Sequence, residues 1–313
     1  MTTPTIGFIG LGKMGRGMAE RLIRAGYAVS GCDPNPAGRR EARKAGVTIA
    51  PTLSALLKAL PRPRVVWIMV PAGSAAESVT KSLAALLRPG DTVIDGGNSY
   101  YRDSIARHRL LKRRGIAFLD VGTSGGTRGE KDGYCLMAGG ENKAFVRVEP
   151  VLKALAAREG LALVGPPGSG HFVKMIHNGI EYGMLEAYAE GFEIMAAAKE
   201  FRLDLRKIAR LWNRGSVVRS WLLELVAGVL AEDPGLNRVC GYVEDSGEGR
   251  WTIAEAVARD IPAPVITLAL LQRLRSRQND PFAARLIAAL RKEFGGHKIR
   301  QKSEAGSKKY VSV

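Results

Sequence analysis

Ionisable and amide side chains at helical spacing mark the stretch HFVKMIHNGIEYG, residues 171–183. Four of them stand at positions i, i+3, i+4 and i+7 and therefore share one face of a predicted helix: Lys174, His177, Asn178 and Glu181. An amine and a carboxylate on one face can act as general base and general acid. The alternative is an exposed salt bridge, which is common on helix surfaces and contributes little.

The same helix is expected to bury Val173, Met175 and Ile180 against a core. His177 and Glu181 also have the spacing of half a metal site, but the chain has 4 His and lacks an HExxH-type motif. We therefore expect no metal. The imidazole and the neighbouring amide are better interpreted as groups that position the hydroxyls of a substrate.

A glycine-rich turn near the N-terminus predicts a dinucleotide site. Gly10, Gly12 and Gly15 form a GxGxxG motif that follows an apolar run and opens a segment with helical spacing. The first glycine permits the tight turn, the second lets the backbone approach a pyrophosphate, and the third lets the helix pack on the strand.

Asp33 ends the next apolar run, about where such sites carry an acidic residue. Its carboxylate can accept hydrogen bonds from ribose hydroxyls and would repel a 2′-phosphate, which favours NAD over NADP. In the alternative interpretation the aspartate only begins a turn, and a phosphate is reached by Arg39, Arg40 or Arg43.

The order of apolar runs predicts the fold. Short runs occur at residues 5–9, 27–32, 65–70, 92–94, 117–121 and 134–137. Helical or loop-like segments separate them, so we predict an α/β Rossmann-type domain with a mainly parallel, doubly wound sheet, followed by an all-α helical domain. We place the NAD-binding domain at 1–167, the helical domain at 168–296 and a basic tail at 297–313.

Composition limits the partners and the compartment. The sequence has no run near the ~20 apolar residues of a membrane span, and its start does not resemble a signal peptide, so we expect a cytoplasmic protein. Cys32, Cys135 and Cys240 are scattered, which argues against disulfides and zinc. The net charge of +17 suits either nucleic acid or a small anionic substrate. Basic residues spread along the whole chain favour the small anion.

Six sequence blocks resemble the decarboxylating 6-phosphogluconate dehydrogenases, in particular their short form. They are GLGKMG at 10–15, DGGNS at 95–99, GTSGGTRGEKDGYCLMAGG at 122–140, GSGHFVKMIHNGIEYG at 168–183, GRWT at 249–252 and RKEFGGH at 291–297. The resemblance runs from end to end. Within the wider 3-hydroxyacid dehydrogenases, KMIHNGIEYG is characteristic of this branch.

The resemblance implies a nicotinamide cofactor in the first domain, and catalysis and dimerisation in the second. It implies that the cofactor is lined by Gly10, Leu11, Gly12, Lys13, Met14, Gly15, Asp33, Pro34, Asn35, Val70, Pro71, Ala72 and Asn98. It implies that the substrate is contacted by Asn98, Ser124, Gly125, Gly126, His177, Asn178, Tyr182, Arg273, Arg291 and His297. The small-residue loop at 124–126 can present backbone N–H groups to an anion.

Arg273 aligns with a phosphate-binding arginine of the family, and Arg291 with His297 has the spacing of the family's tail. That tail reaches into the partner subunit's site, so the resemblance implies a homodimer or homotetramer in which the tail completes a neighbouring site.

Two positions depart from the family pattern. Long-form members carry a lysine and a threonine that touch substrate phosphate, whereas this chain has Ser246 and Glu248. A glutamate there disfavours phosphate unless it points away or pairs with an arginine such as Arg250.

The resemblance implies oxidative decarboxylation of 6-phospho-D-gluconate, a step of the pentose phosphate pathway and of gluconate utilization. The hypothesis makes Lys174 the base that takes the C3 hydroxyl proton and Glu181 the acid that protonates the enediol. One alternative is an NAD-dependent 3-hydroxyacid dehydrogenase acting on a non-phosphorylated substrate. The other is a basic nucleic-acid-binding protein, against which the intact Lys174, Glu181 and Asn98 argue.

Overall fold

The computed structural model describes residues 5–295, 298, 300–302 and 310–312. The chain forms two compact units, one made of residues 1–181 and 247–262 and the other of residues 182–246 and 263–313. The first unit is an α/β structure and the second is mainly helical.

Eight strands of the first unit form one sheet, in the order β3-β2-β1-β4-β5-β6-β7-β8. They are β1 (Thr5–Ile9), β2 (Ala28–Cys32), β3 (Thr48–Ile49), β4 (Val65–Ile68), β5 (Thr92–Asp95), β6 (Ala117–Ser124), β7 (Tyr134–Gly140) and β8 (Ala156–Gly165). Neighbouring strands are parallel except β6 and β7. The direction of the strand order reverses between the neighbouring strands β1 and β4. At such a point a doubly wound sheet opens a crevice for a dinucleotide.

Helices cover the sheet because alternate strand residues point to opposite faces. Phe8 and Trp67 belong to one buried cluster, whereas Ile9 and Ile68 belong to a second. The helices up to β8 are α1 (Lys13–Arg24), α2 (Pro36–Lys44), α3 (Leu53–Ala59), α4 (Ser74–Leu86), α5 (Tyr101–Lys112), α6 (Gly129–Asp132) and α7 (Asn142–Leu155).

A buried carboxylate fixes the start of helix α8 (Ser169–Ala197). Asp120 on β6 accepts hydrogen bonds from the backbone N–H groups of Gly168, at 2.6 Å, and His171, at 2.9 Å. These are among the donors that a helix N-terminus leaves without intrahelical partners. The His171 ring lies 2.7 Å from the Ser104 hydroxyl, through Nδ1, so α8 is also fixed to α5.

Glycines let α8 lie directly on β6 and β7. A Cβ on Gly122 would come within 2.4 Å of the Cβ of Lys174. A Cβ on Gly170 would come within 2.4 Å of the backbone oxygens of both Asp120 and Met137. Larger residues at these two positions would therefore lift the helix from the sheet and move its lysine.

Helix α11 (Glu248–Ala258) packs on α8 within the first unit. The hydroxyl of Thr252 lies 3.0 Å from the carbonyl oxygen of Met175 and 2.8 Å from that of Glu248. A Cβ on Gly179 would come within 2.7 Å of the Thr252 methyl carbon, so the two helices approach closely here.

The second unit contains the rest of α8 and the helices α9 (Leu205–Trp212), α10 (Trp221–Glu232), α12 (Pro264–Arg275) and α13 (Phe282–Gly295). Ala209, Leu223 and Ala227 form one buried cluster of this unit, with aromatic side chains of α8 and α9 packed against them. Two short strands, β9 (Arg300–Lys302) and β10 (Tyr310–Ser312), pair antiparallel.

The fold class expected from the sequence is confirmed, and each predicted apolar run overlaps one strand. Strands β3 and β8 of the sheet were not predicted, and neither was the β9–β10 pair in the expected tail. Strand β3 has only two residues, and β8 is largely half-buried or exposed, so neither gives a strong apolar run. We placed the domain boundary at 167/168, whereas the compact units divide within α8, because that helix is continuous and α11 belongs to the first unit.

The apolar positions of α8 were predicted only in part. Met175 is buried as expected, but Val173 and Ile180 are exposed. Their burial was wrongly predicted, because the sheet covers the helix face that contains Gly170 and Lys174 instead.

Replacing Gly122 by alanine should lower the melting temperature and reduce turnover, because the new methyl group overlaps the Lys174 side chain. Overpacking of this kind costs about 1–3 kcal/mol. Gly191→Ala on the same helix is the matched control, because nothing lies within 4 Å of a Cβ there. Thermal unfolding of both variants tests the packing, and a Gly122→Ala protein as stable as the Gly191→Ala protein would contradict it.

Candidate active site

The glycine turn between β1 and α1 has the geometry that a dinucleotide needs. Gly10 has a φ of 93°, and a Cβ on it would lie 2.3 Å from the carbonyl oxygen of Met69. A Cβ on Gly15 would lie 2.2 Å from the carbonyl oxygen of Gly10, so the helix packs tightly on the turn. Nothing lies within 4 Å of a Cβ on Gly12, which leaves open space at the start of α1 for a pyrophosphate.

Asp33 organises the same turn. Its Oδ2 accepts a hydrogen bond from the Leu11 N–H at 2.6 Å, and its Oδ1 accepts one from the Asn35 N–H at 2.7 Å. The Arg39 guanidinium donates to the carbonyl oxygens of Asp33 and Pro34. Each aspartate oxygen keeps a further acceptor position, which fits the hydroxyls of a ribose.

The remaining predicted cofactor residues follow strands β1 and β4, or lie in the loop after β5. Lys13 is exposed and Met14 half-buried at the start of α1, and the loop after β4 contains the half-buried Val70. Pro71 and Ala72 in that loop are exposed. Ligands in such sheets bind outside the carboxyl ends of the strands.

Lys174 lies at the centre of a polar cluster on α8. Its amine donates to the Asn178 Oδ1 at 2.7 Å and lies 3.2 Å from the His177 Nδ1. Burial lowers the pKa of Lys174 below that of an ordinary lysine, and the carboxylates of Glu181 and Glu248 oppose the shift. A lysine amine with a lowered pKa can serve as a base at lower pH than a solvated one.

His177 connects α8 to the end of β6. Its Nε2 lies 3.3 Å from the Ser124 hydroxyl, and its Nδ1 lies 3.1 Å from the Asn178 Oδ1 and 3.9 Å from a Glu181 oxygen. The Glu181 side chain is 40% exposed, so it can reach a bound molecule and exchange protons with solvent.

Gly125 and Gly126 directly follow β6, and their φ values are 132° and 51°. These conformations suit glycine, and they occur beside the serine hydroxyl that faces the histidine.

Asn98, in the loop after β5, donates a short hydrogen bond through Nδ2 to the Glu248 Oε1. From the sequence we expected a glutamate at 248 to disfavour phosphate unless it points away or pairs with an arginine such as Arg250, and we did not predict this contact. The only signal was the departure at that position from the family pattern. Burial of the carboxylate beside Asn98 depends on the packing of α11 on α8.

Three further predicted substrate residues, Tyr182, Arg273 and Arg291, lie in the described part of the second unit. The Arg273 guanidinium stacks 3.4 Å from the ring centre of the buried Tyr182 and donates to the Glu244 carbonyl oxygen at 3.2 Å. Arg291 is exposed on α13. His297 lies outside the described residues, so its predicted role stays a prediction.

Within the described ranges, no group of three or more His, Cys, Asp or Glu side chains could hold a metal ion. No described helix is long and apolar enough to cross a membrane.

A dinucleotide turn and a half-buried lysine cluster within one α/β unit define a nicotinamide-dependent dehydrogenase. Residues 5–165 match the model of the NAD binding domain of 6-phosphogluconate dehydrogenase, and residues 170–281 match that of the C-terminal domain of the same enzyme. The chain belongs to the 6-phosphogluconate dehydrogenase family.

Two relatives are matched over nearly their whole length. The NAD(+)-dependent, decarboxylating 6-phosphogluconate dehydrogenase of Haloferax volcanii is 39% identical over 301 residues, which cover 96% of this chain and 99% of the relative. A Bacillus subtilis protein, YqeC, provisionally named a 6-phosphogluconate dehydrogenase, is 43% identical over 297 residues, which cover 95% of this chain and 99% of the relative.

The fold is also similar to solved structures. The structure of Plasmodium falciparum 6-phosphogluconate dehydrogenase superposes on this chain with a TM-score of 0.80 at 28% identity. The match covers 97% of this chain and 67% of the other.

Proposed function

We propose that the chain catalyses the oxidative decarboxylation of 6-phospho-D-gluconate to D-ribulose 5-phosphate and CO₂, with NAD as the hydride acceptor. The observation that carries the proposal is the Lys174 amine, whose pKa is lowered by burial, with Glu181 seven residues further along the same helix. The names of the relatives agree with it. The bound cofactor would supply the hydride acceptor, and the chain's own residues would move the protons.

The first step is oxidation at C3. The neutral Lys174 amine removes the proton of the C3 hydroxyl while the hydride leaves C3, and the product is a 3-keto acid. Asn178 and His177 lie within hydrogen-bonding distance of the amine and hold it in place for this transfer. The step requires the neutral amine, so activity should rise with pH as Lys174 loses its proton.

The second step breaks the C1–C2 bond. The lysine, now an ammonium, hydrogen-bonds the C3 ketone oxygen and stabilises the charge that develops there as CO₂ leaves. The electron pair of the broken bond forms the C2–C3 double bond of an enediol, and the ammonium returns its proton to the C3 oxygen. Glu181 then protonates the carbon that had carried the carboxylate while the neutral Lys174 amine takes back the proton of the C3 hydroxyl, which yields the ketose.

Several groups would hold the substrate. The Ser124 hydroxyl and the glycine loop that follows it suit an anionic group, and the His177 and Asn178 side chains suit hydroxyls. We propose that Arg273 binds the phosphate and that Arg291 and His297 serve the site of a partner subunit, so that the active form is a homodimer or homotetramer. The match to the family's RxxFGxH tail supports this arrangement.

NAD rather than NADP is the proposed cofactor. Both oxygens of the Asp33 carboxylate lie at the turn where the ribose would bind, and the Arg39 guanidinium donates to backbone carbonyls there. A relative from Bacillus subtilis named as NADP(+)-dependent is 32% identical, so both preferences occur among the family's names.

The buried Glu248 favours one second candidate, oxidation of a non-phosphorylated 3-hydroxyacid, because a carboxylate beside Asn98 would repel a phosphate. A Salmonella typhimurium 3-hydroxyisobutyrate dehydrogenase superposes with a TM-score of 0.71 at 25% identity, covering 85% of this chain and 92% of the other.

Reduced cofactor and CO₂, measured together, distinguish the two candidates. With 6-phosphogluconate we expect one NADH and one CO₂ per turnover, and far lower activity with gluconate. Activity on gluconate or on 3-hydroxyisobutyrate, with none on the phosphorylated acid, would overturn the proposal in favour of the second candidate.

Lys174→Met and Glu181→Gln should affect different steps. Methionine keeps the bulk but removes the base, so hydride transfer should fall by about 100- to 10,000-fold. Glutamine at 181 should leave hydride transfer largely intact and slow the later protonation. Rapid-mixing kinetics of NADH formation separate the steps, and an equal loss of hydride transfer in both variants would contradict the assigned roles.

Asp33→Asn should relax the cofactor choice towards NADP, because it removes the negative charge that repels a 2′-phosphate while keeping the shape. The ratio of kcat/KM for NAD to that for NADP should fall by about 10-fold or more, since repulsion between two unit charges about 4 Å apart is worth about 4 kcal/mol near a protein surface. Lys58→Gln, at an exposed position on α3, is the control. An unchanged ratio in Asp33→Asn would place discrimination elsewhere.

A further inference from the structure

Glu248 is a buried carboxylate beside the candidate active site. It lies in the first turn of α11 and is 4% exposed. Its Oε1 accepts the hydrogen bond of the Asn98 amide, whereas its Oε2 is buried and has no hydrogen-bond partner among the described residues. A buried carboxylate oxygen without a donor is costly, which points to a donor supplied by a bound molecule.

The position of this carboxylate is fixed by the packing of its helix. Thr252, one turn further along α11, lies within hydrogen-bonding distance of the carbonyl oxygens of both Met175 and Glu248. Met175 directly follows Lys174 on α8. Glu248 and Lys174 are therefore held on two helices in close contact, and neither can move far without disturbing the other.

The same carboxylate acts on the charge of the lysine. Burial lowers the pKa of Lys174, and the carboxylates of Glu181 and Glu248 offset part of that shift. The Glu181 side chain is 40% exposed and is screened by solvent, whereas the Glu248 carboxylate is buried. Among the described residues, the titratable groups that face the amine are His177 and Glu181 on α8, Cys135 on β7 and Glu248 on α11.

We infer that Glu248 is a specificity-determining residue whose Oε1 fixes the orientation of the Asn98 amide and whose Oε2 accepts a hydrogen bond from a hydroxyl of the substrate's polyol chain. An ionised carboxylate has no proton to donate, so an anionic group cannot bind there, whereas a neutral hydroxyl can. The phosphate of the substrate must then be held by other groups. This inference rests on the proposed function, because it assumes a polyhydroxy acid as substrate.

Glu248→Gln tests the inference, because it keeps the size of the side chain and removes its charge. Calorimetric titration without cofactor should show 6-phosphogluconate binding weakened by about 10- to 100-fold, the range for a hydrogen bond to a charged group. The KM for NAD should stay within twofold. In the pH profile of kcat/KM, the rise on the acidic side (the acid limb) should move to lower pH. The reason is that loss of a nearby negative charge lowers the pKa of Lys174.

Deoxy substrates identify the hydroxyl. Binding of the 2-deoxy, 4-deoxy and 5-deoxy analogues of 6-phosphogluconate is measured with wild type and with Glu248→Gln. For one of the three analogues, the dissociation constants of Glu248→Gln and wild type should agree within twofold, because that analogue already lacks the hydroxyl that faces Oε2. A penalty of equal size for all three analogues would overturn the inference.

Glu255→Gln is the matched control. This glutamate is on the same helix, is also 4% exposed, and bonds Tyr101, Arg102 and Arg259 instead of Asn98. Its replacement should lower the melting temperature and leave substrate binding and the acid limb unchanged. Glu248→Asp, which keeps the charge, should weaken binding while retaining the wild-type acid limb, and it serves if the glutamine variant does not fold.

The outcomes separate the inference from the proposed function. Wild-type protein that does not convert 6-phosphogluconate contradicts the function. Active wild type, together with Glu248→Gln and Glu248→Asp variants that bind the substrate as tightly as wild type, contradicts the inference alone and leaves Glu248 a structural residue.

Discussion

The carboxylate of Asp120 is buried beneath the first turn of α8, where it accepts hydrogen bonds from the backbone N–H groups of Gly168 and His171. A helix N-terminus offers unpaired donors and a partial positive charge, so a carboxylate fixed in a strand is a suitable partner. Burial raises the pKa of Asp120, and the two N–H groups oppose that shift. Together with glycines at 122 and 170, this contact sets the height and rotation of α8 on the sheet.

That position has a chemical consequence four residues into the helix. Gly122 lies against the Cβ and Cγ of Lys174, so the stem of the lysine is pressed onto β6 and its amine loses solvent. Loss of solvent disfavours the ammonium, whereas the carboxylates of Glu181 and Glu248 favour it. Catalysis as proposed requires both forms in turn, first the neutral base and then the ammonium. A balance between burial and two carboxylates can provide them.

The sequence predicted the parts that depend on local pattern. The glycine turn, six of the strands and the polar face of α8 all follow from spacing within one segment. The bond between Asn98 and Glu248 joins residues 150 positions apart and depends on how α11 packs through Thr252, which no local pattern encodes. Strand β8 was not predicted because it buries little apolar surface, and its pairing with β7 contains register shifts.

The central claim is that burial on β6 makes the Lys174 amine a base. The most direct test is an NMR titration of protein labelled with ¹³C at lysine Cε, in which Lys174 is assigned by the signal that Lys174→Met removes. The account predicts that this lysine titrates below the ordinary lysine pKa of about 10.4. A pKa equal to or above that of the exposed lysines would mean that the carboxylates outweigh burial, and Lys174 would then be an unsuitable base for oxidation.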